Sequence, residues 1–251
     1  MSTSPSSSQQ AEYEQALAES RAHFSCKIGQ PGQSRWYHFI VAGLIRPFLL
    51  AIRPWQRLRI EGKEHIPRSG SVLIFGTHES FFDPIVVVAK VWRPMTAYAK
   101  LSLFAGRFSW FYRGMGQIPL ERGKDGATDR SIELGGCVLR QGGAVCIYPE
   151  GTRISGGIYK WHERVAIGVL ALRPQTPVVV VAITYEKSWF GRTAVIRVSP
   201  PFTFVGDPAE RGAEIMAELR NWAIQASGLE GFDGSARNEK ERRAIEKATN
   251  R

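Results

Sequence analysis

An α/β fold, with a mixed, mostly parallel sheet flanked by helices, is predicted by three observations. From residue 56 onward, short runs rich in β-branched residues alternate with stretches of helical composition, an order typical of strand–helix–strand units. Some runs, such as VVVVAI at 178–183, are apolar throughout, as in strands that are covered on both faces. The chain has 251 residues, of which 43% are hydrophobic and 22% are charged, so it can bury one large core.

The individual elements follow from this alternation. Strands are predicted at 56–61, 71–76, 96–100, 116–120, 144–148, 177–183 and 194–198, and helices at 84–92, 102–112, 126–141, 162–172 and 208–227. They form one α/β domain at 56–230. We expect a disordered, Ser- and Gln-rich tail at 1–10, an N-terminal helical membrane-interface segment at 11–55 and a charged C-terminal tail at 231–251.

The expectation of a membrane interface comes from the nearly apolar segment 35–52, which has aromatic residues at its start and is interrupted by Arg46 and Pro47. Between residues 34 and 69 the chain carries seven cations and two anions. This pattern favours an amphipathic or apolar helix anchored at a membrane surface. A helix of the domain core is the alternative. No apolar run reaches the roughly 20 residues that a transmembrane helix needs.

The net charge and the spacing of the cysteines exclude several classes of function. A formal net charge of +10 indicates an anionic partner, which is a nucleic acid, a membrane surface or a phosphorylated substrate. Helix-turn-helix, zinc and RNA-recognition patterns are missing, so nucleic acid is not expected. The three cysteines, Cys26, Cys137 and Cys146, show neither C-x-x-C nor zinc-module spacing, and we expect no disulfide framework and no metal site.

The first motif with a chemical reading is T-H-E-S-F-F-D-P at 77–84, directly after a predicted strand. On a regular helix His78 and Asp83 would lie about 140° apart. They can meet if the segment is a turn that enters a helix at Asp83-Pro84, with Asp83 as the N-cap. A histidine oriented by a carboxylate is a general base near neutral pH. The alternative is that Asp83 only caps the helix and His78 only packs.

Two further motifs follow strands: Y-P-E-G-T-R at 148–153 and G-Q-I-P-L-E-R, which ends at Arg122. Gly151 permits a tight turn, and Arg122 and Arg153 offer planar donors for a phosphate or carboxylate. Glu150 is expected to orient Arg153 or a backbone amide. Each motif alone is also an ordinary polar turn. Together the three motifs lie at the carboxyl ends of strands, where open α/β sheets bind ligands, and they indicate hydroxyl chemistry on an anionic substrate.

The motifs also resemble a known family. H-E-S-F-F-D resembles the His-x-x-x-x-Asp block of the glycerolipid acyltransferases, the 1-acylglycerol-3-phosphate acyltransferase family. G-Q-I-P-L-E-R, Y-P-E-G-T-R and T-P-V-V-V-V-A-I resemble its second, third and fourth blocks in the same order. The resemblance covers roughly residues 35–205. Thr77 stands where Asn is common and Tyr148 where Phe is common, which leaves the identity of the acceptor open.

This resemblance implies an enzyme of phospholipid biosynthesis. It moves a fatty acyl group from acyl-CoA or an acyl-carrier protein to the free sn-2 hydroxyl of 1-acyl-sn-glycerol 3-phosphate, giving phosphatidic acid. The same chemistry on another lysophospholipid, glycerol 3-phosphate or a glycolipid is the alternative. In the family's pattern the general base is His78, oriented by Asp83. The residues expected to bind the acceptor phosphate are Arg122, Glu150, Gly151, Thr152 and Arg153, with Lys100 and Lys160 as further candidates.

The chemistry itself makes few demands, because a thioester is already activated. It needs a base, groups that position the acceptor phosphate, and donors for a tetrahedral oxyanion. No metal or organic cofactor is expected beyond the acyl donor as co-substrate. The resemblance further implies a monotopic protein on the cytoplasmic face of a phospholipid membrane, with no nucleic acid partner.

Overall fold

The computed structural model describes residues 40–51, 56–91, 93–104, 107, 109–120, 125–151, 153, 157–158, 161–189 and 191–231, together with residues 11 and 15. Within these residues the chain forms a seven-stranded sheet. Its strands are β1 (Gln56–Glu61), β2 (Val72–Gly76), β3 (Met95–Lys100), β4 (Ile118–Leu120), β5 (Ala144–Ile147), β6 (Val178–Ser188) and β7 (Gly191–Val198).

The strand order in the sheet is β1-β7-β6-β2-β5-β3-β4. The strands β6, β2, β5, β3 and β4 are parallel to one another, while β7 is antiparallel to β6 and β1 is parallel to β7. The predicted mixed, mostly parallel sheet is therefore confirmed. We call the edge at which the five parallel strands end the carboxyl edge, and the opposite one the amino edge.

Six α-helices are described. They are α1 (Arg46–Ala51), α2 (Asp83–Lys90), α3 (Ser109–Gly114), α4 (Asp125–Arg140), α5 (Glu163–Ala171) and α6 (Gly212–Ser227); a π-helical turn, Val41–Ile45, leads into α1. The helix predicted at 102–112 is wrong at its start and confirmed at 109–112, which belong to α3. The chain instead forms a 3₁₀ turn at Leu101–Leu103, which Phe104 closes by burying its ring and donating its N–H to the Leu101 carbonyl, before the short α3 begins.

The core lies on both faces of the sheet, which explains the apolar strands. On β2, Leu73 and Phe75 point into one cluster, with side chains of α4, α5 and α6. Val72 and Ile74 point into the other, with side chains of the π-turn, α1 and α2. Alternate residues of one strand thus serve opposite layers, as the period of a strand requires.

The sheet topology has a switch point at the carboxyl edge, and we call the region outside these strand ends the crevice. β2 and β5 are neighbours, but the chain leaves β2 through α2 on one face and leaves β5 through α5 on the other. Where successive connections depart to opposite faces, the strand ends leave space for a ligand. Two of the sequence motifs follow β2 and β5, so the fold brings them together at this crevice.

The described part of the N-terminal segment packs one face against the domain. Ile40, Val41, Ile45 and Leu49 are buried in the core, so the core-helix alternative holds for this face. Three large apolar side chains of the same segment are exposed: Leu44, Phe48 and Leu50.

An anchoring role for this segment stays a prediction. Among the described residues, none of the helices is long and apolar enough to cross a membrane. The tail predicted at 1–10 and nearly all of the one predicted at 231–251 lie outside the described residues.

Candidate active site

The structure brings His78 and Asp83 together at the end of β2. The imidazole Nδ1 lies 2.9 Å from Asp83 Oδ2, and the side chain of Asp83 is fully buried while that of His78 is 19% exposed. The same Oδ2 accepts hydrogen bonds from the backbone N–H groups of Glu79 at 2.7 Å and Ser80 at 2.6 Å. Because Oδ2 is an acceptor in these bonds, Nδ1 must carry the proton, and Nε2 presents its lone pair.

Asp83 is not the N-cap that the sequence predicts. The helix α2 begins at Asp83 itself, and its N-cap residue is Phe82. The carboxyl group turns backward to the amides of the preceding loop rather than forward into its own helix. It therefore fixes the loop that carries His78, which a capping carboxylate alone would not do.

Tyr185 adds a contact that the sequence does not predict. Its hydroxyl donates to Asp83 Oδ1 at 2.5 Å, so both carboxyl oxygens of Asp83 are hydrogen-bonded. The predicted strand at 177–183 ends before Tyr185, but β6 continues to Ser188 and carries this residue to the carboxyl edge. A polar aromatic residue just beyond an apolar run that ends at this edge was the available signal.

Replacing Tyr185 by phenylalanine tests whether it positions the pair. The variant keeps the ring and loses the hydroxyl that bonds Asp83 and the Ser80 side chain, so we expect turnover to fall about 3- to 10-fold, in line with the loss of about 1 kcal/mol. Because Tyr185 acts through Asp83, kcat should fall with little change in KM for the acyl donor. Steady-state kinetics measure this split, and a drop in melting temperature without a kinetic effect would show a structural role alone.

Tyr148 and Gly76 shape the other side of the imidazole. The rings of His78 and Tyr148 are 4.6 Å apart between centroids and tilted by 35°. A Cβ on Gly76 would lie 2.6 Å from the Tyr148 ring, so only glycine lets this ring pack against β2. The aromatic residue at the start of Y-P-E-G-T-R thus contacts the candidate base directly.

Glu150 joins the second motif to the first. Its Oε2 accepts the backbone N–H of His78 at 3.2 Å, so of the two partners expected for Glu150 the structure shows a backbone amide. The residue is only 4% exposed. Burial raises its pKa to about 8, with smaller contributions from Asp83 and Glu79, while the His78 amide and the nearby indole of Trp161 lower it. The indole N–H is buried and makes no hydrogen bond of normal geometry. The Glu150 side chain is therefore mostly a neutral acid at pH 7.

Of the remaining predicted site residues, three are described by the structure and three lie outside the described residues. Gly151 adopts a left-handed φ of 69° and donates its N–H to the Tyr148 carbonyl at 3.0 Å, which forms the tight turn expected there. Arg153 is exposed, and its guanidinium lies 6.0 Å from the ring centroid of Phe81, three residues after His78. Lys100 is exposed at the end of β3. Three residues lie outside the described residues: Arg122, Thr152 and Lys160. Their phosphate-binding roles, like those of Glu150, Gly151, Arg153 and Lys100, stay predictions.

Two nearby residues, Cys146 and Ser80, have surroundings that do not favour a nucleophile. Burial raises the pKa of the Cys146 thiol to about 12, so it stays protonated at neutral pH. The Ser80 hydroxyl oxygen accepts the backbone N–H of Phe82 at 3.2 Å and belongs to the loop. The His78–Asp83 pair has the hydrogen-bonded geometry that a general base would need.

Comparison with known proteins assigns the family. The family model described as acyltransferase matches residues 57–184, about half of the chain. The chain belongs to the acyltransferase family. The matched region contains His78, Asp83 and the Y-P-E-G-T-R motif.

Several relatives carry specific names. The chain is 29% identical over 160 residues to a chloroplastic 1-acyl-sn-glycerol-3-phosphate acyltransferase of Arabidopsis thaliana, covering 61% of this chain and 42% of that protein. It is 27% identical over 135 residues to a 1-acyl-sn-glycerol-3-phosphate acyltransferase of Borreliella burgdorferi, covering 53% and 54%. The chain thus spans about half of the length of these curated relatives.

A solved structure has the same fold. The crystal structure of the 1-acyl-sn-glycerophosphate acyltransferase of Thermotoga maritima matches with a TM-score of 0.52 at 16% identity, covering 85% of this chain and 97% of that one. At this identity the match supports the architecture of the sheet and its helices, and the site chemistry depends on the residues of this chain.

Proposed function

We propose that this acyltransferase moves a fatty acyl group from a thioester to the sn-2 hydroxyl of 1-acyl-sn-glycerol 3-phosphate, giving phosphatidic acid. The observation that carries the proposal is the hydrogen-bonded His78–Asp83 pair at the carboxyl edge, with the exposed Arg153 over the ring of Phe81 in the loop that follows His78. The names of the relatives supply the acceptor, since two of them are described as 1-acyl-sn-glycerol-3-phosphate acyltransferases.

The proposed reaction uses His78 as general base and then as general acid. Nε2 takes the proton of the acceptor hydroxyl as its oxygen attacks the thioester carbonyl. The tetrahedral intermediate collapses, the carbon–sulfur bond breaks, and the leaving thiolate receives the proton from the imidazolium. Asp83, held by the two loop amides and Tyr185, stabilises the imidazolium while it exists.

The electrostatics of the site favour a phosphorylated acceptor. Arg153 supplies a planar cation at the carboxyl edge, and we infer that Arg122 and Thr152, with Lys100 and Lys160 as further candidates, complete the phosphate site. Glu150, mostly neutral at pH 7 because burial raises its pKa to about 8, does not repel a phosphate there. Gly151 allows a backbone N–H to approach the anion.

The proposal includes a membrane surface as the source of the acceptor. A lysophospholipid is embedded in a bilayer, and the exposed Leu44, Phe48 and Leu50 lie on the segment that enters the carboxyl edge. We propose a monotopic association with the cytoplasmic leaflet and either acyl-CoA or acyl-carrier protein as donor. Because the thioester is already activated, the proposed steps require no metal or organic cofactor.

Replacing Arg153 by alanine tests the phosphate site. With acyl-CoA as donor and a panel of lysophosphatidic acid, glycerol 3-phosphate, lysophosphatidylcholine and a monoacylglycerol, we expect lysophosphatidic acid to be the preferred acceptor of the unmodified chain. In the variant, kcat/KM for lysophosphatidic acid should fall about 10-fold or more, because a charge-assisted bidentate contact is lost. Use of the monoacylglycerol should change little.

The matched control is Arg68→Ala, since Arg68 is an exposed arginine just before β2, at the amino edge. It should leave the acceptor profile unchanged. An equal loss for phosphorylated and unphosphorylated acceptors in Arg153→Ala would contradict the phosphate site. If the unmodified chain prefers another acceptor, the proposed acyl transfer stands and the proposed acceptor is wrong.

A further inference from the structure

The hairpin between β6 and β7 has an unusual turn. Ser188 pairs with Gly191, so the turn contains only Trp189 and Phe190. Two-residue hairpin turns favour Gly, Asn and Asp, which adopt the required backbone angles at low cost. The turn chemistry therefore does not explain two bulky aromatic residues. The side chain of Trp189 is 91% exposed, which is the largest exposure among the large apolar side chains that the structure describes.

Two cations flank this turn in direct opposition. Lys187 and Arg192 are cross-strand partners and both are exposed. Like charges directly opposite each other destabilise a hairpin. Of the nearby acids, Glu79 is within electrostatic range of Arg192, and Glu186 lies 3.9 Å from Arg197. A turn that combines an exposed indole with opposed cations conflicts with local stability, and such conflicts are expected at functional sites.

The hairpin projects past the carboxyl edge. Gly76, the last residue of β2, pairs with Val181, and β6 continues from there to Ser188. Arg192 pairs with Gln56, the first residue of β1, which follows shortly after α1. The turn therefore lies on the same side of the domain as His78 and the end of α1.

Exposed apolar side chains concentrate on this side. Nine large apolar side chains of the described residues are exposed, and seven lie on elements that lead into or out of the carboxyl edge: Leu44, Phe48, Leu50, Phe81, Leu103, Trp110 and Trp189. The other two, Leu172 after α5 and Val205 after β7, lie toward the amino edge. The seven come from five separate parts of the chain, as expected for contact with an extended surface rather than with one small ligand.

We propose that the turn at Trp189 is a membrane contact, which inserts its aromatic side chain at the headgroup level of an anionic phospholipid bilayer. An indole suits this level because it is apolar with one polar N–H, and Lys187 and Arg192 face the anionic headgroups. Together with α1, this contact holds the carboxyl edge against the bilayer, where an embedded lysophospholipid can reach His78. The inference rests on the proposed function only for the identity of that acceptor.

Vesicle sedimentation of the full chain tests the contact without acyl transfer. The vesicles are phosphatidylglycerol mixed with phosphatidylcholine, or phosphatidylcholine alone. We expect Trp189→Ser to bind the anionic vesicles at least 5-fold more weakly than the unmodified chain, and Lys187→Ser to bind them more weakly at low salt. The matched control is Val205→Ser, which removes an 83% exposed apolar side chain near the amino edge and should bind normally. Thermal scans of Trp189→Ser check that the variant is folded at the temperature of the binding assay.

Activity provides the second readout. Trp189→Ser should lose turnover of lysophosphatidic acid presented in vesicles and keep turnover of a short-chain lysophosphatidic acid that is monomeric in solution. Unchanged vesicle binding of Trp189→Ser, or an equal loss in Val205→Ser, would overturn the proposal. So would normal vesicle binding combined with a loss specific to acyl-carrier protein as donor, which would assign the turn to a protein partner. If no acceptor is acylated but vesicle binding depends on Trp189, the membrane contact stands and the proposed function fails.

Discussion

Replacing His78 by alanine is expected to reduce acyl transfer by about 10²–10⁴-fold, the contribution of a positioned general base. The imidazole is the proposed base because its Nδ1 lies 2.9 Å from the buried Asp83 carboxylate, which leaves the other ring nitrogen for the acceptor hydroxyl. The Cys146 thiol, with a pKa of about 12, cannot replace it. The measurement is single-turnover release of free thiol from acyl-CoA with saturating acceptor, which separates chemistry from binding.

Folding must be intact for this result to count. The variant keeps the hydrogen bonds that the loop amides and Tyr185 donate to Asp83. We therefore expect a circular dichroism spectrum and an acyl-CoA affinity close to those of the unmodified chain. His65→Ala is the matched control, because His65 is a half-buried histidine hydrogen-bonded to the Val198 carbonyl at the amino edge. It should turn over normally. Retained turnover in a folded His78→Ala chain would remove the general-base assignment.

The layout of the sheet could be predicted because its signals are local. An apolar run such as VVVVAI predicts a strand buried on both faces, and the structure places β6 between two helical layers. The carboxyl ends of strands could be identified from the ends of such runs. His78 and Glu150 were therefore expected at one edge, and the pairing of β2 with β5 brings them into contact.

What the sequence could not predict depends on contacts between distant segments. Tyr185 lies 102 residues after Asp83, and its hydrogen bond to that carboxyl group exists only because β6 continues beyond its apolar run. The role of Asp83 differs from a helix cap because two amides of its own loop turn toward it. Amino-acid type shows that Glu150 is acidic, but only its burial in the folded chain, which raises its pKa to about 8, indicates that it is mostly neutral at pH 7.

The second large effect is on stability, and it comes from Glu150. Burial raises its pKa from the ordinary 4.5 to about 8 in the folded chain, whereas the unfolded chain keeps the ordinary value. Between these two pH values the folded chain holds a proton that the unfolded chain has released, so stability falls as pH rises through this window and levels off above about 8. A shift of this size corresponds to a loss on the order of a few kcal/mol.

The variant Glu150→Gln isolates the contribution of Glu150 to the pH dependence of stability. Glutamine keeps an oxygen that can accept the His78 N–H, but it does not titrate. The variant should therefore lose the part of the fall in stability with rising pH that Glu150 causes. Thermal scans at matched ionic strength give the melting temperature of Glu150→Gln minus that of the unmodified chain. We expect this difference to be larger at pH 9 than at pH 5 by about 5 °C or more. Glu64→Gln, at an exposed glutamate near the amino edge, is the control. A difference between Glu150→Gln and the unmodified chain that stays constant with pH would mean that Glu150 is ionised when buried. The proposed phosphate site would then contain a negative charge, and a neutral or cationic acceptor headgroup would become the better fit.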